Sequence, residues 1–371
     1  MKTIKIVAVS AALLCSLVAS AQWQRIPTPN DTLQSVRVLP NGNTLVSIYA
    51  PKARQVSLMG DMVPWGQPLV PTEKNGVWSF EVPGVKAGVY RYSFIVDGVQ
   101  VIDPKSDIAL NNRPLAVIEP NGKDFFSYDP AIEHGAMAVR SYWSKTAQQT
   151  RTMRVWTPAG YETSKDKKMK ALPVLYLIHG GGDTDTSWPT AGCAGDILDN
   201  LYAAGKIEPM IVVMPNGTFP GNEVPVFAAD MVTDIIPFIE KNYRVKADQA
   251  HRAMAGLSMG GMETLETVFN NPTLFGYVWV LSSSFMPGVE PSKEGERLGV
   301  EAKIPVINKT VKEFVFTQGG KSDIAYQNGI NTRTYLEGLG LKFEYMDVEG
   351  GHSWYAWRQN LYDLAQRLFK K

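Results

Sequence analysis

The chain has 371 residues, a length that favours two domains over one. Hydrophobic residues make up 44% of the sequence and the formal net charge is only +1, so globular cores are expected. The sequence contains no basic stripe that could bind phosphates, and we therefore expect neither nucleic acid nor an anionic membrane surface as a partner.

Residues 1–21 have the pattern of a secretory signal peptide. Lys2 and Lys5 precede an apolar run at 6–18, and Ala-Ser-Ala follows at 19–21. This order of basic, apolar and small residues predicts cleavage before Gln22 and export to the periplasm or the medium. A lone membrane anchor is the alternative, but the run is short for a membrane span, and no stable span is expected.

Residues 28–125 are expected to form an all-β domain. Short segments in which apolar and polar residues alternate are separated by Pro-Asn-Gly and Pro-Lys-Ala turns. Strands are expected at 35–39, 44–49, 55–59, 78–82 and 88–98. This spacing is typical of an immunoglobulin-like sandwich of about a hundred residues.

The same segment resembles the early-set sandwich of family 48 carbohydrate-binding modules. The resemblance is carried by Trp78, Gly88, Tyr90, Tyr92, Phe94, Val96-Asp97-Gly98 and Asp103-Pro104. It implies a module that precedes a glycan-active enzyme, with Trp65 or Trp78 stacking on sugar. The favoured alternative is that these aromatic residues fill the core, since Trp78 has an alternating strand position, and that the module only packs against the catalytic domain.

A polar, turn-rich stretch at 126–149 is expected to be a connector, in which His134 is a surface or capping residue. From residue 150 to 371, strands alternate with helices. Continuous apolar runs predict strands that are buried on both faces. The predicted strands are 153–157, 173–178, 210–214, 252–257, 277–281, 313–316 and 343–348, and helices are expected near 195–204, 226–242, 260–270, 325–338 and 354–369. This alternation predicts a mostly parallel sheet covered by helices, with the functional site at the carboxyl ends of the strands.

The run Arg-Ala-Met-Ala-Gly-Leu-Ser-Met-Gly-Gly at 252–261 predicts a strand, a sharp turn and a helix, with Ser258 at the turn. A serine hydroxyl acts as a nucleophile only with a base, an aimed geometry and stabilisation of the anion that forms. Gly256 and Gly260 allow a strained turn and a close approach of strand and helix. This motif alone is weak evidence for a catalytic serine. The decision rests on whether the rest of the chain supplies a base, an acid and donors for the oxyanion.

A glycine run, His179-Gly-Gly-Gly-Asp183, directly follows the strand predicted at 173–178. Consecutive glycines leave backbone N–H groups free to point at a developing oxyanion, and Met259 would supply the second N–H. Gly181 is favoured as the loop donor, although the other two glycines stay open. A phosphate cradle is the competing interpretation, but no Lys-Ser/Thr pair follows. We expect His179 to order the loop.

His352 lies in a glycine-flanked loop, Gly350-Gly-His-Ser-Trp354, that opens the last predicted helix. An imidazole can act as the base for a serine and then as the acid for the leaving alcohol. A lone histidine could equally cap a helix or pack against it, so the serine motif upstream is what favours catalysis. His251 precedes the serine strand and is expected to be structural.

The carboxylate that orients the imidazole is expected to be Asp323, in the loop after the strand at 313–316. It gives the chain order serine, acid, histidine that this architecture requires. Asp323 could instead cap the following helix. Asp347 and Glu349 are rival acids.

No metal or other cofactor is expected, because the histidines are scattered and the chain has no Cys pair and no His-Glu-x-x-His. Without the leader the chain keeps only Cys193, which excludes an internal disulfide. A small buried side chain is favoured for it over a nucleophile.

These motifs together resemble the α/β-hydrolase esterases of carbohydrate esterase family 1. The strings that carry the resemblance are His179-Gly-Gly-Gly-Asp183 with Trp188, Pro209-Met-Ile-Val-Val-Met-Pro-Asn-Gly217, Ala255-Gly-Leu-Ser-Met-Gly-Gly261 and Gly351-His-Ser-Trp-Tyr-Ala-Trp-Arg358. The resemblance spans nearly all of 150–371 and implies a triad of Ser258, Asp323 and His352. The glycine loop departs from the family, since it is one glycine short and lacks a following Glu.

With the module in front, the chain resembles two-domain feruloyl esterases that process arabinoxylan. The expectation is a secreted serine esterase that removes feruloyl or related acyl groups from plant cell-wall glycans. Trp188, Trp354 and Trp357 are candidates to border the substrate pocket, with core packing as the alternative, and Asp183 and Asp185 are candidate loop caps. Acetyl-xylan esterase, siderophore trilactone esterase and a glycan-binding protein with a silent hydrolase domain are the rival functions.

Overall fold

The computed structural model describes residues 26–63, 68–106, 109–110, 113–163, 171–221 and 224–370. The predicted signal peptide and Trp65 lie outside these residues. In the described part of the chain, no helix is long and apolar enough to cross a membrane. An all-β sandwich precedes a domain in which helices flank a mixed sheet, which confirms the predicted fold class.

Two antiparallel sheets form the sandwich, in the orders β1-β2-β5-β4 and β3-β6-β9-β8, with β7 beside β6. The strands are β1 Val36–Val38, β2 Thr44–Tyr49, β3 Val56–Gly60, β4 Thr72–Lys74, β5 Val77–Val82, β6 Gly88–Val96, β7 Val99–Val101, β8 Ala109–Leu110 and β9 Arg113–Ile118. Because successive side chains of a strand point to opposite faces, Val46, Phe80 and Phe94 all lie in one common core. Trp78 packs against that core and donates its indole N–H to the Ala50 carbonyl at 3.1 Å, so core packing is the better account of this residue.

The second domain contains an eight-stranded sheet in the order β10-β11-β13-β12-β14-β15-β16-β17. Its strands are β10 Ala136–Ser144, β11 Gln149–Thr157, β12 Val174–Ile178, β13 Ile211–Pro215, β14 Arg252–Leu257, β15 Tyr277–Leu281, β16 Glu313–Gln318 and β17 Glu344–Asp347. The pairings of β10 with β11 and of β11 with β13 are antiparallel, and all the others in this sheet are parallel. The apolar runs of β12, β13 and β15 are buried throughout, because helices cover both faces.

Helices connect the strands of this sheet. They are α1 Ala194–Ala203, α2 Val224–Asp230, α3 Ile236–Asn242, α4 Met259–Asn270, α5 Pro291–Leu298, α6 Val300–Thr310, α7 Tyr326–Gly338 and α8 Trp354–Arg367. A π-helical turn, Met231–Ile235, joins α2 to α3. The helix predicted at 226–242 is therefore three segments.

The structure differs from the sequence prediction at β10 and at α5 and α6. β10 lies in the stretch that was predicted to be a connector, but it forms the edge of the hydrolase sheet. It escaped prediction because an edge strand is largely exposed, so Met137, Val139 and Trp143 face solvent between polar residues. The helices α5 and α6 were not predicted, since α5 buries only Gly295 and Leu298 and Pro305 lies inside α6.

Arg358 of α8 joins the two domains. Its guanidinium donates to the carbonyl of Val89 in the sandwich at 3.1 Å and to that of Ala191 in the hydrolase domain at 2.7 Å. The side chain is 1% exposed and lies over the ring of Phe126. A Cβ on Gly88 would come within 2.5 Å of this guanidinium, so the glycine of the sandwich motif lets the cation approach the strand.

We expect Arg358→Ala to lower the free energy of unfolding by about 2–4 kcal/mol, because two buried carbonyl groups lose their donor. Arg37→Ala on the exposed face of β1 is the matched control and should change it by less than about 0.5 kcal/mol. Differential scanning calorimetry of both variants checks this. Equal, small effects would contradict a joining role for Arg358.

Candidate active site

Ser258 sits at a strained turn between β14 and α4. Its φ of 52° and ψ of −118° lie outside the regions that non-glycine residues favour, and such strain persists only where packing enforces it. A Cβ on Gly256 would overlap the Gly260 carbonyl, and one on Gly260 would overlap that of His179. The glycines predicted to permit the turn therefore do so by close backbone contact.

His352 and Asp323 converge on this serine from two other strand ends. The Nε2 atom of His352 lies 2.9 Å from Ser258 Oγ, and its Nδ1 atom lies 2.7 Å from Asp323 Oδ1. The Asp323 side chain is fully buried, and that of His352 is 16% exposed. The three residues lie 65 and 29 positions apart in sequence and still form one hydrogen-bonded chain.

Burial alone would raise the pKa of the Asp323 carboxyl. Hydrogen bonds from His352 and from the backbone N–H groups of Gly319 and Ala325 outweigh it and lower the pKa to about 2. The bond to Ala325 is a cap-like contact just before α7, so Asp323 both orders its loop and contacts the imidazole. The rival acids point elsewhere, since Asp347 bonds to Tyr345 and Glu349 pairs with Lys86.

The glycine loop after β12 lies against the serine turn. A Cβ on Gly180 would come within 3.1 Å of the Ser258 Cβ, and one on Gly181 would lie 4.0 Å from the Met259 Cβ. Among the described residues, no backbone group accepts a hydrogen bond from the N–H of Gly181 or Met259. Both donors are therefore available beside the serine.

His179 fixes this loop from behind. Its Nε2 accepts the N–H of Gly217 at 2.9 Å, which leaves Nδ1 to donate to the Gly180 carbonyl at 2.8 Å. Burial lowers the pKa of His179, so the ring stays neutral and keeps both bonds at neutral pH. The predicted ordering role of this histidine matches its contacts.

A cavity of about 510 Å³ opens beside His352, between the two domains. From the hydrolase domain it is lined by His352, Trp354 and Trp357, whose rings are in edge-to-face contact. Trp188 does not line it: this side chain is 1% exposed, donates to the Ile178 carbonyl and touches the site only through Trp354. Core packing is thus the better account of Trp188.

Sequence reasoning missed the sandwich residues that form the opposite wall, among them Asp61, Lys86 and Arg91. No local pattern marks them, because their relation to the site exists only after the domains dock. It also missed Glu263 on α4, a carboxyl group whose pKa is raised well above the usual value by burial. This side chain fills the space beside Gly217.

The two loop aspartates are ion-paired, Asp183 with Arg91 at 2.7 Å and Asp185 with Arg154 at 3.2 Å. His134, predicted to be a surface or capping residue, bonds to Asp199 at 3.0 Å and stacks on Tyr128. Within the described ranges, no three His, Cys, Asp or Glu side chains are grouped as a metal site.

A serine at a strand–helix turn, bonded to a histidine and through it to a buried aspartate, defines the serine hydrolases of the α/β-hydrolase class. Residues 144–368 match the family Esterase, and residues 35–108 match carbohydrate-binding module 48 (isoamylase N-terminal domain). The chain belongs to this esterase family and carries a family 48 module in front of its hydrolase domain.

The chain is 36% identical over 338 residues to an endo-1,4-beta-xylanase/feruloyl esterase of Xylanibacter ruminicola, in an alignment that covers 87% of this chain and 44% of the relative. It is 29% identical over 237 residues to endo-1,4-beta-xylanase Y of Acetivibrio thermocellus, which covers 57% of this chain and 21% of the relative. The chain therefore spans less than half the length of either relative.

Two solved structures illustrate the shared fold. The feruloyl esterase module from Clostridium thermocellum, complexed with sinapinate, superposes with a TM-score of 0.58 at 22% identity and covers 66% of this chain and 91% of its own. The enterobactin esterase from Shigella flexneri superposes with a TM-score of 0.63 at 16% identity, over 88% of this chain and 94% of its own. At these identities the likeness concerns the fold alone.

We expect Gly260→Ala to lower kcat on p-nitrophenyl acetate about a hundredfold, because the new methyl group would push the His179 carbonyl and its glycine loop away from the serine. Gly338→Ala is the control, since a Cβ there meets open space at the end of α7. It should keep the rate and be neutral or mildly stabilising. An unchanged rate in Gly260→Ala would show that the loop position does not matter.

The depressed pKa of Asp323 also predicts a pH dependence of stability. Its folded pKa of about 2 is below the unfolded value of about 3.9, so the stabilisation is complete above pH 4 and is lost as the pH falls towards 2. The difference in unfolding free energy between wild type and Asp323→Asn should therefore shrink by about 1 kcal/mol between pH 5 and pH 3. Urea denaturation at both pH values measures it, and a constant difference would contradict the depressed pKa.

Proposed function

We propose that the protein hydrolyses feruloyl or related hydroxycinnamoyl esters on plant cell-wall arabinoxylan, after export from the cell. The observation that carries the proposal is the hydrogen-bonded chain from Ser258 through His352 to Asp323, in which His352 lines a cavity shared with the carbohydrate-binding module. The acyl group is inferred from the relative named endo-1,4-beta-xylanase/feruloyl esterase, whose similarity extends over both domains.

In the proposed reaction, His352 takes the proton from Ser258 as the oxygen attacks the ester carbonyl. The negative charge that forms on the carbonyl oxygen is held by the N–H groups of Gly181 and Met259. The tetrahedral intermediate collapses when His352 gives its proton to the sugar oxygen of the ester. The bond between that oxygen and the carbonyl carbon breaks, the sugar leaves as an alcohol, and the acyl group stays on the serine. Water, activated by the same imidazole, then releases the acid.

Asp323 is proposed to act on the reaction through the imidazole of His352. Its carboxylate stays charged throughout the neutral range, so it stabilises the imidazolium that forms in each half-reaction. It also holds the ring in the tautomer whose Nε2 can accept the serine proton. Trp354 and Trp357 border the cavity next to His352 and are proposed to contact the substrate.

Acetyl-xylan esterase is the nearest alternative, because the same triad would serve a smaller acyl group. A siderophore trilactone esterase has weaker support, since the likeness to the enterobactin esterase is one of fold at 16% identity. A purely glycan-binding role has the least support, because nucleophile, base and acid are all in contact.

The decisive experiment compares wild type and Ser258→Ala on methyl ferulate, methyl coumarate, methyl sinapate and p-nitrophenyl acetate. We expect wild type to hydrolyse the hydroxycinnamates and Ser258→Ala to lose a factor of about 10³ or more in kcat. The two circular dichroism spectra should be identical, which controls for folding.

Equal rates for the two proteins would overturn the assignment of Ser258. Serine-dependent activity on the acetate with none on the hydroxycinnamates would replace the feruloyl proposal with the acetyl alternative. Release of ferulate from insoluble arabinoxylan then tests the polymer as substrate.

A further inference from the structure

The glycine loop is tied down by a residue of the other domain. Gly180 to Asp183 form a turn in which the N–H of Asp183 donates to the Gly180 carbonyl at 3.3 Å, and Gly182 has a φ of 75°, as the third residue of a type II turn does. Gly181 and Gly182 are exposed, so packing does little to hold them. His179 holds the first residue of the turn, Gly180, through its carbonyl, so the place of the Gly181 N–H depends further on how the last residue, Asp183, is held.

Asp183 is anchored at both its backbone and its side chain. Its carbonyl accepts the Thr218 hydroxyl at 3.2 Å, and its carboxylate accepts the Arg91 guanidinium at 2.7 Å. The Asp183 side chain is 8% exposed and that of Arg91 is 23% exposed, so the pair is largely shielded from water. A shielded pair is worth more than a surface pair, and breaking it leaves a buried charge without a partner.

Arg91 is itself held in position by the sandwich. Asp61 accepts the Nε of Arg91 at 2.8 Å and its backbone N–H at 3.1 Å, and the Asp61 N–H donates back to the Arg91 carbonyl at 2.8 Å. Gly60 makes this contact possible, since a Cβ there would overlap the Arg91 carbonyl. With Nε committed to Asp61, the Nη1 atom points across the domain boundary.

We propose that Arg91 is a positioning residue for ester hydrolysis, which acts through Asp183 to hold the Gly181 N–H at the place where the oxyanion forms. The carbohydrate-binding module then contributes to the chemical step itself, even on a small ester that has no sugar. This inference rests on the proposed role of Gly181 and is independent of which acyl group the enzyme prefers. An N–H that is held loosely stabilises the transition state less than a preorganised one, while ground-state binding changes little.

The test uses the full-length enzyme and p-nitrophenyl acetate, together with a trifluoromethyl ketone whose adduct with the serine places an oxyanion in the same site. Arg91→Ala should lower kcat about tenfold to a hundredfold with KM within about twofold, and should raise the inhibition constant of the ketone by a matching factor. Arg91→Lys keeps the positive charge but loses the paired N–H donors of the guanidinium. It should therefore recover part of the loss in kcat and part of the rise in the inhibition constant.

A double-mutant cycle shows whether the effect passes through the pair. Asp183→Asn should reproduce the loss, and the double variant Arg91→Ala/Asp183→Asn should be no worse than either single variant. Glu349→Ala is the matched control, because it removes another ion pair between the domains, with Lys86, that does not touch the glycine loop. It should keep kcat and the inhibition constant near the wild-type values.

An unchanged kcat and inhibition constant in Arg91→Ala would overturn the inference, as would an equal loss in Glu349→Ala, which would indicate general loosening of the domains. Additive losses in the double variant would also overturn it. If the wild type does not hydrolyse methyl ferulate, only the proposed acyl group is wrong. The role of Arg91 is tested separately, because its measurements use p-nitrophenyl acetate and the ketone.

Discussion

The site depends on one constraint, the close backbone packing around Ser258. The serine keeps a positive φ because β12, β14 and α4 approach so closely that glycines are required at 256 and 260. The same approach brings the glycine loop against the serine turn. The geometry of the candidate nucleophile and the position of the proposed oxyanion donors thus come from a single packing arrangement, and a side chain at either glycine would disturb both.

Electrostatics then set the protonation states around that turn. Asp323 is buried but charged, because the hydrogen bonds that it accepts outweigh the cost of burial and lower its pKa. At His179 and Glu263 burial is the largest influence, and it lowers the pKa of the imidazole and raises that of the carboxyl group. The direction of each pKa shift thus follows from the balance between burial and the hydrogen bonds to the charged form.

The module borders the candidate active site in this architecture. It supplies one wall of the cavity beside His352, accepts a hydrogen bond from Arg358 at Val89, and reaches the glycine loop through Arg91. Its core uses the aromatic residues that the family pattern shares, including Trp78. The face that meets the hydrolase domain, in contrast, carries charged residues that no family pattern marks.

The sequence by itself determined the fold class, the parallel strand series and the chain order of serine, acid and histidine, because buried strands have continuous apolar runs and strand-end motifs are local. It favoured Asp323 but left Asp347 and Glu349 open as rival acids, and it did not distinguish Trp188 from Trp354 as pocket residues. In both cases the alternatives differ in the direction and the depth of the side chain rather than in residue type. β10 is largely exposed and α5 is polar, so neither has the run of apolar residues that a buried element shows. Only the tertiary structure decided which carboxylate meets the imidazole and that Arg91 meets Asp183. The first contact joins two loops at the ends of neighbouring strands, and the second joins residues of two domains, so neither can be read from residues adjacent in sequence.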